Sequence, residues 1–314
     1  MGGEVRTALG ETNVMPEEDR FELHEGAFAA NSPSYVLKFE RATELLIGLR
    51  DETDSFLETL LTSPLRVERR AEGWLSVKWG EVPPLPMNWR LHFGDAMHNL
   101  RTALDHMVYD LGVTHGLARR DHLQFPTATN AADWTNQIEP PRPGKPGRLT
   151  GLPEEVVQAI RATQPFVNVE GRQPDQDPLF LLLRLDNVDK HRIVHEAVIA
   201  QSEVTRVAFD PPGSMKVTKM RKMPGWRMCV TNGEIARLKV RDVKRGAKLK
   251  TVSWDAPPRI FCRTTRPPDD AAGAEVQFIR GTDIDTLAML TRVDGVGRAL
   301  ASIRHQGARL VVFA

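Results

Sequence analysis

The sequence predicts an α+β fold, in which a helical bundle with an inserted β-hairpin is followed by an antiparallel β-rich part and a C-terminal helix. Before about residue 200, apolar residues recur at steps of three and four, which is the period of amphipathic helices. After it, short alternating runs are separated by Gly, Pro and Asp, as is typical of antiparallel strands. The 314 residues suffice for two cores.

We therefore predict three regions along the chain. Residues 1–31 contain a cluster of acidic side chains and lack apolar periodicity, so we expect a mobile acidic arm there. Residues 32–200 are predicted to form the helical bundle, and residues 201–314 the β-rich part with the terminal helix.

The first predicted elements are a long helix and a hairpin. The helix is expected over 36–61, where apolar residues follow a helical period. Asn31 and Ser32 precede Pro33, which is a capping signal with a proline in the first turn. The hairpin is expected over 65–79, because apolar residues alternate in part around a central glycine.

Three further helices complete the predicted bundle. The second is expected over about 87–111, with Gly112 at its C-terminal cap, and 112–150 is a connecting region. The third runs over 153–162. The fourth opens at Asp177 and Pro178 and reaches about residue 199.

The β-rich part contains seven strand-like runs and ends in a helix over about 283–304. The predicted strands are 204–209, 215–220, 226–231, 236–241, 249–254, 259–264 and 275–280.

Composition narrows the function classes. No apolar run approaches the roughly 20 residues of a membrane span, and the N-terminus has no signal-peptide pattern, so we expect a cytoplasmic protein with no membrane contact. Cys229 and Cys262 are interpreted as reduced core thiols. The absence of a Gly-rich phosphate loop, a nucleophile elbow and a Cys-x-x-Cys pair argues against NTPases, dinucleotide enzymes and α/β hydrolases.

A basic stretch at 215–250 contains twelve Lys or Arg and two acids. Part of it is predicted as a strand–turn–strand unit around Pro224 and Gly225, and Arg237, Lys239 and Arg241 alternate along the next strand, so they share a face. One interpretation is a solvated edge whose charges discourage aggregation. The other is a nucleic-acid-binding face, with Trp226 available for stacking. Its predicted residues are Lys216, Lys219, Arg221, Lys222, Trp226 and Arg227.

The helix at 87–111 has an unusual polar stripe. Beside its apolar seam lie His98, Arg101 and Asp105, within an arc of about 80°, and Asn99 and His106 form part of a further strip. Such a stripe predicts either a buried polar network between helices or a working surface.

A second polar helix, over 178–199, could face the first. It contributes Asn187, Lys190 and His191, which with the first stripe would form one cationic cluster suited to phosphate. His191 and His195 are four residues apart, a spacing that permits metal binding on a helix. Neighbouring cations oppose a divalent ion, so we expect no metal and no cofactor.

The string GDAMHNLRTALDHMVYDL at 94–111 resembles a helix of uncharacterised bacterial proteins with the pattern G-[D/E]-x-x-H-N-L-R-x-A-L-D-H, and PLFLLLRLDNVDKHR at 178–192 is similar to a second helix of that group. More distantly, the helix resembles the HEPN superfamily of small helical bundles, whose members include metal-independent ribonucleases. That resemblance implies catalytic roles for Arg101 and His106. In such enzymes two copies of the motif meet in a homodimer, a cation stabilises the phosphorane and an imidazole transfers protons.

Three hypotheses follow from these observations. The first is an HEPN-like ribonuclease, or an RNA-acting toxin or defence factor, that works as a homodimer on RNA. The alternative is a non-catalytic nucleic-acid-binding or scaffold protein. The third is a metal-dependent hydrolase.

Overall fold

The computed structural model describes most of the chain between residues 32 and 300. The described ranges are 32–62, 65–139, 144–167, 173–191, 196–221, 227–255, 259–263 and 290–300. Within them, only the backbone is described at 188–191, 196–198, 200–201, 227 and 259–263. The predicted acidic arm at 1–31 and the predicted strand at 275–280 lie outside the described residues.

The fold is α+β, as the sequence predicts. The helices are α1 (Ser34–Thr62), α2 (Asn88–Thr114), α3 (Ala131–Ile138), α4 (Glu154–Ala162), α5 (Pro178–His191) and α6, described over 290–300. The strands are β1 (Arg66–Arg69), β2 (Trp74–Lys78), β3 (Glu196–Gln201), β4 (Val204–Asp210), β5 (Lys216–Arg221), β6 (Arg227–Met228), β7 (Glu234–Arg241), β8 (Lys248–Trp254) and β9 (Arg259–Arg263).

The strand pairs within the described residues are all antiparallel. One sheet has the order β1-β2-β7-β5, a second the order β6-β3-β9, and β4 pairs with β8. None of the described helices has an apolar stretch long enough to cross a membrane.

Backbone contacts divide the chain into two compact units, each discontinuous in sequence. The sheet unit draws its described residues from Arg50–Trp89 and Glu196–Gly281. The helical unit draws its described residues from Gly26–Leu49, Arg90–His195 and Thr282–Ala314. The sequence instead predicted one boundary between residues 200 and 201. The two divisions differ because the hairpin pairs through β2 with β7 and so belongs to the sheet unit.

The hydrophobic core of the sheet unit is built from alternate positions of its strands. Leu75 and Val77 of β2 and Ala236, Leu238 and Val240 of β7 are buried there. The outward positions of β7 are polar, so this strand has the period of two that a half-buried sheet requires.

The core of the helical unit contains the predicted apolar seam of α2. Its members are 6% exposed or less: Met97, Leu100, Leu104, Met107, Val108 and Leu111. Helical spacing places these residues on one arc, which explains why the periodicity predicts the buried face.

The end of α2 corrects the predicted cap. The helix continues through Gly112 to Thr114, and Gly116 has the positive φ of +68° that ends helices. Gly112 has a packing role instead. A Cβ built there would lie 2.3 Å from the Leu123 side chain, so only glycine fits without a shift.

The predicted connecting region at 112–150 contains one short helix. In α3, the Asn130 side chain accepts a hydrogen bond from the Asp133 backbone N–H at 2.8 Å, and Trp134 is buried. The cap stabilises a segment of eight residues that is too short for a clear periodic signal.

The fourth predicted helix is shorter than expected. It begins as predicted, where the Asp177 carboxylate accepts from the Leu179 N–H at 2.9 Å, but α5 ends at His191. Residues 196–201 form β3, which pairs with β9 over Glu196–Ala200. The long-range pairing determines the structure of a segment whose local sequence is ambiguous.

Candidate functional site

Two groups of charged side chains are candidates for a site, one in each unit. The first is the polar stripe of α2 in the helical unit. The second is the outer face of the β1-β2-β7-β5 sheet in the sheet unit. We describe each within its own unit.

Arg101 is buried and donates to three oxygens. Its side chain is 6% exposed. Nη2 donates to Asp105 Oδ1 at 2.8 Å and to the Phe125 carbonyl at 2.6 Å, and Nη1 donates to Thr127 Oγ1 at 3.3 Å. Asp105 Oδ1 also accepts from the Phe125 N–H at 2.9 Å. The Arg101–Asp105 pair therefore hydrogen-bonds both the N–H and the carbonyl of Phe125.

These contacts belong to a larger set that supports the segment at 123–128, which has no regular secondary structure. The Gln137 amide donates to the Thr127 carbonyl at 2.9 Å, and Gln164 Oε1 accepts from the Ala128 N–H at 3.0 Å. Buried backbone outside helices and sheets needs such partners, because unsatisfied polar groups are costly. Arg101 and Asp105 therefore have a clear structural role.

The environment of Arg101 contains balancing charges. Burial lowers the pKa of Arg148, and the nearby charge of Arg101 lowers it further, whereas Asp105 and Asp133 act in the opposite direction. Two arginines are thus accompanied by two carboxylates. This part of the cluster carries no formal excess of positive charge that would attract a phosphate.

His98 forms a second polar contact, with α5. Its Nδ1 lies 3.1 Å from Oδ1 of Asp186, whose side chain is 2% exposed, whereas the histidine side chain is 48% exposed. A carboxylate only accepts, so Nδ1 carries the proton, and the neutral ring then has its lone pair on Nε2. Nε2 lies 3.5 Å from Thr102 Oγ1. A buried carboxylate thus fixes the orientation of a half-exposed imidazole.

The other predicted residues of the cluster are dispersed. Asn99 accepts from Lys38 Nζ at 3.1 Å and donates to the Asp95 carbonyl at 2.7 Å. His106 has no hydrogen bond to Arg101, and its buried Nδ1 has no partner among the described residues. Asn187 is exposed. The structure therefore unites Arg101 with Asp105 and His98 with Asp186, but not the Arg101–His106 pair.

The side chains of Lys190 and His191, and the whole of His195, lie outside the described residues. Elsewhere in the described part of the chain, no three His, Cys, Asp or Glu side chains are grouped closely enough to hold a metal ion.

The basic face belongs to strands β5 and β7. Arg237 and Arg241 are exposed and Lys239 is half-buried, in alternation with the buried residues of β7, so the three share the outer face as predicted. Strands β5 and β7 are paired, and each outward-facing pair in their register joins two cations. The pairs are Lys216 with Arg241, Lys219 with Lys239, and Arg221 with Arg237.

The structure changes the predicted strand–turn–strand unit. β5 pairs with β7, whereas β6 pairs with β3 in a different sheet, so the two strands do not form a hairpin. Lys222 and Trp226 lie outside the described residues, and only the backbone of Arg227 is described. Lys216, Lys219 and Arg221 are exposed on β5.

Sequence reasoning missed the residues that the hairpin contributes to this face. Trp74 of β2 lies opposite Lys239, whose Nζ is 5.5 Å from the centroid of the Trp74 rings. Arg70 and Glu72 lie in the hairpin turn, and Lys239 Nζ donates to the Glu72 carbonyl. The local signal was a tryptophan directly after Gly73, but nothing local indicates pairing with a strand so distant in sequence.

Comparison of the chain with protein-family models, with curated proteins and with solved structures gives no significant match.

Proposed function

We propose that this protein binds nucleic acid through the outer face of the β1-β2-β7-β5 sheet, with RNA as the expected partner. The observation that carries the proposal is the series of three like-charged pairs between β5 and β7. Like charges directly opposite one another destabilise a sheet. A polyanion would offset that cost, because each phosphate that a cation neutralises releases a counterion.

The alternative interpretation, protection of an edge, accounts for half of this pattern. β5 is the last strand of the sheet among the described residues, and lysines on an edge strand discourage aggregation. β7, however, is an interior strand between β2 and β5. Its cations at Arg237, Lys239 and Arg241 protect no edge, so a binding role explains more of the face.

The test is a salt titration of binding. Fluorescence anisotropy of labelled RNA would be measured from low to moderate salt for the full chain and for Lys219→Glu/Arg221→Glu. Wild-type affinity should fall with log salt, at a slope of about −0.7 for each single-strand phosphate contact. The double variant should bind more weakly and with a shallower slope.

Arg206→Glu/Lys250→Glu is the matched control, because it changes net charge equally on exposed positions of the separate β4–β8 sheet. It should retain most of the affinity. Loss of binding equal to that of the first variant would mean that overall charge, rather than this face, attracts RNA. The absence of any RNA or DNA binding by the wild-type protein at low salt would refute the proposal.

A metal-independent ribonuclease is the second candidate function. The observation that favours it is the His98–Asp186 contact, since a carboxylate on Nδ1 of a half-exposed histidine is the arrangement of a general base. The predicted catalytic pair, Arg101 and His106, lies on the same helix, α2. Because the two side chains point about 140° apart around the helix, this reaction would require a homodimer.

Cleavage of labelled RNA, with and without EDTA, tests this candidate. Wild-type protein should cleave in both conditions and leave 2′,3′-cyclic phosphate ends. His106→Ala and His98→Ala should each lose cleavage while the melting temperature changes by only a few degrees. Cleavage that EDTA abolishes would favour the metal-dependent hydrolase, and no cleavage by the wild-type protein would leave a binding role alone.

A further inference from the structure

An open pocket of about 650 Å³ lies at the hairpin end of the basic face. Its walls come from the turn between β1 and β2, from β5 and from β7. The lining residues are Arg70, Ala71, Glu72, Trp74, Lys219, Arg221 and Arg237. Pockets of this size accommodate small organic molecules, so one nucleotide can fit.

The turn fixes the aromatic wall of the pocket. Glu72 and Gly73 both have positive φ, at +57° and +75°, and the Arg70 N–H donates to the Trp74 carbonyl at 2.7 Å. Lys239 Nζ lies over the Trp74 rings and donates to the Glu72 carbonyl. Trp74 is half-buried, so the ring is held in place yet still lines the pocket.

The pocket is cationic. Four of its side chains are basic and one, Glu72, is acidic, which gives a formal charge of +3. Arg237 is paired with Glu234 at 2.6 Å and Arg70 with Glu68 at 3.4 Å. Lys219 and Arg221 have no ion-pair partner in the described part of the chain. These two are the cations best placed to meet an external anion.

We infer that this pocket binds one nucleotide of a single-stranded polynucleotide, with the base against Trp74 and the adjoining phosphates at Lys219 and Arg221. The inference rests on the proposed nucleic-acid binding and adds that the nucleic acid is bound as a single strand. A base in a duplex has both faces stacked on its neighbours, whereas an unpaired base can stack on an aromatic side chain. A tryptophan within a cationic pocket therefore selects unpaired strands.

The experiment uses the full chain and five fluorescent ligands of equal length. They are single-stranded RNA, single-stranded DNA, the two corresponding duplexes, and a DNA strand whose central residues are abasic. Anisotropy titrations would compare wild-type protein with Trp74→Leu, which removes the π system, and with Trp74→Phe, which retains an aromatic face. Circular dichroism and thermal unfolding would check that both variants fold.

Stacking on an aromatic side chain contributes about 1–3 kcal/mol per base, which corresponds to a change in Kd of roughly 5- to 150-fold. Wild-type protein should prefer single strands to duplexes and the normal strand to the abasic strand. Trp74→Leu should lose most of both preferences, and Trp74→Phe should retain most of them. The RNA and DNA arms show which sugar the pocket accepts.

Several results would overturn the inference and leave the proposed function intact. Trp74→Leu could bind single strands with wild-type affinity while Lys219→Glu/Arg221→Glu does not, in which case the face binds only phosphates. Equal affinity of the wild-type protein for the abasic and the normal strand would also show that the face binds only phosphates. This comparison uses only the wild-type protein, so it does not depend on the folding of a variant. No binding of any of the five ligands at low salt would refute both proposals.

Discussion

In the helical unit, the charged side chains of α2 are compensated by the protein itself, whereas in the sheet unit those of β5 and β7 face one another. Arg101 is buried, and its guanidinium contacts a carboxylate, a carbonyl and a hydroxyl. Lys219 is exposed, and the residue opposite it is Lys239. Both residues belong to polar patterns that the sequence makes conspicuous, yet their environments differ completely.

The difference separates structural charges from charges that are available to a ligand. A buried cation whose hydrogen bonds go to neighbouring groups of the protein has been desolvated and cannot bind a substrate without losing those contacts. Lys219 and Arg221, by contrast, are exposed, lie opposite other cations and have no ion-pair partner in the described part of the chain. The basic face is therefore the better candidate for ligand binding, and the stripe of α2 is in large part architecture. Three predictions test this comparison.

The largest effect is expected for Arg101. Arg101→Met keeps similar volume but removes the donor to the Phe125 carbonyl and Thr127 and leaves Asp105 with only the Phe125 N–H. We expect the free energy of unfolding to fall by about 3 kcal/mol, the lower end of the range for breaking a buried pair, because Asp105 retains partial exposure. Urea denaturation would measure the change.

Arg184→Met on α5 is the control, because Arg184 is an exposed arginine on a helix of the same unit. It should change stability by no more than about 0.5 kcal/mol. If Arg101→Met were equally mild and yet removed RNA cleavage, Arg101 would be catalytic rather than structural, and the comparison between the two units would fail.

Local periodicity predicted the fold elements well and their partners poorly. The buried seam of α2 and the alternation along β7 are each set by neighbours within a few residues, so both were predictable. By contrast, residues 196–199 were expected to be helical, but they belong to β3, because β9 pairs with this segment. The pocket depends on Trp74 lying opposite Lys239, a contact that no short sequence window contains.

The candidate site shows the same limit. The sequence placed Arg101 and Asp105 on one helix face, and in the structure the two form an ion pair. It contained no sign that both would hold the backbone of Phe125, because that contact depends on how the segment after α2 folds back. Residue type and spacing therefore located the polar groups, and only the tertiary contacts distinguish structural groups from available ones.

An intermediate effect is expected for Cys229, a buried ionisable group of the sheet unit. Burial raises the pKa of its thiol from 9.0 to about 12. A group with a raised folded-state pKa stabilises the fold below its unfolded pKa and loses that contribution as pH rises towards the folded value. We compare two proteins that both carry Cys262→Ser, one with Cys229 and one with Cys229→Ala. Between pH 8 and pH 10, the unfolding free energy of the protein with Cys229 should fall by roughly 1.4 kcal/mol more than that of the other.

Urea denaturation at the two pH values measures this difference, and slow reaction of the folded protein with a thiol reagent should accompany it. Identical pH dependence with and without Cys229 would show that the thiol is hydrated. Cys229 would then be no counterpart in the sheet unit to the desolvated Arg101, which would sharpen the contrast between the two units.

The smallest effect, but the most discriminating, is expected for Lys219→Glu. The substitution places a carboxylate opposite Lys239 and so converts a repulsive cross-strand pair into an attractive one. Stability should rise by about 0.5 kcal/mol, as for other opposite-charge pairs across strands, while affinity for single-stranded RNA falls.

Arg206→Glu is the control, because Arg206 faces the neutral Ser253 and no repulsion is relieved there. Denaturation and anisotropy on the same samples measure both quantities. Lower stability in Lys219→Glu would mean that Lys219 already has a favourable role within the fold, like Arg101. A rise in stability with weaker binding is the result expected if this position is maintained for a ligand at the expense of the sheet.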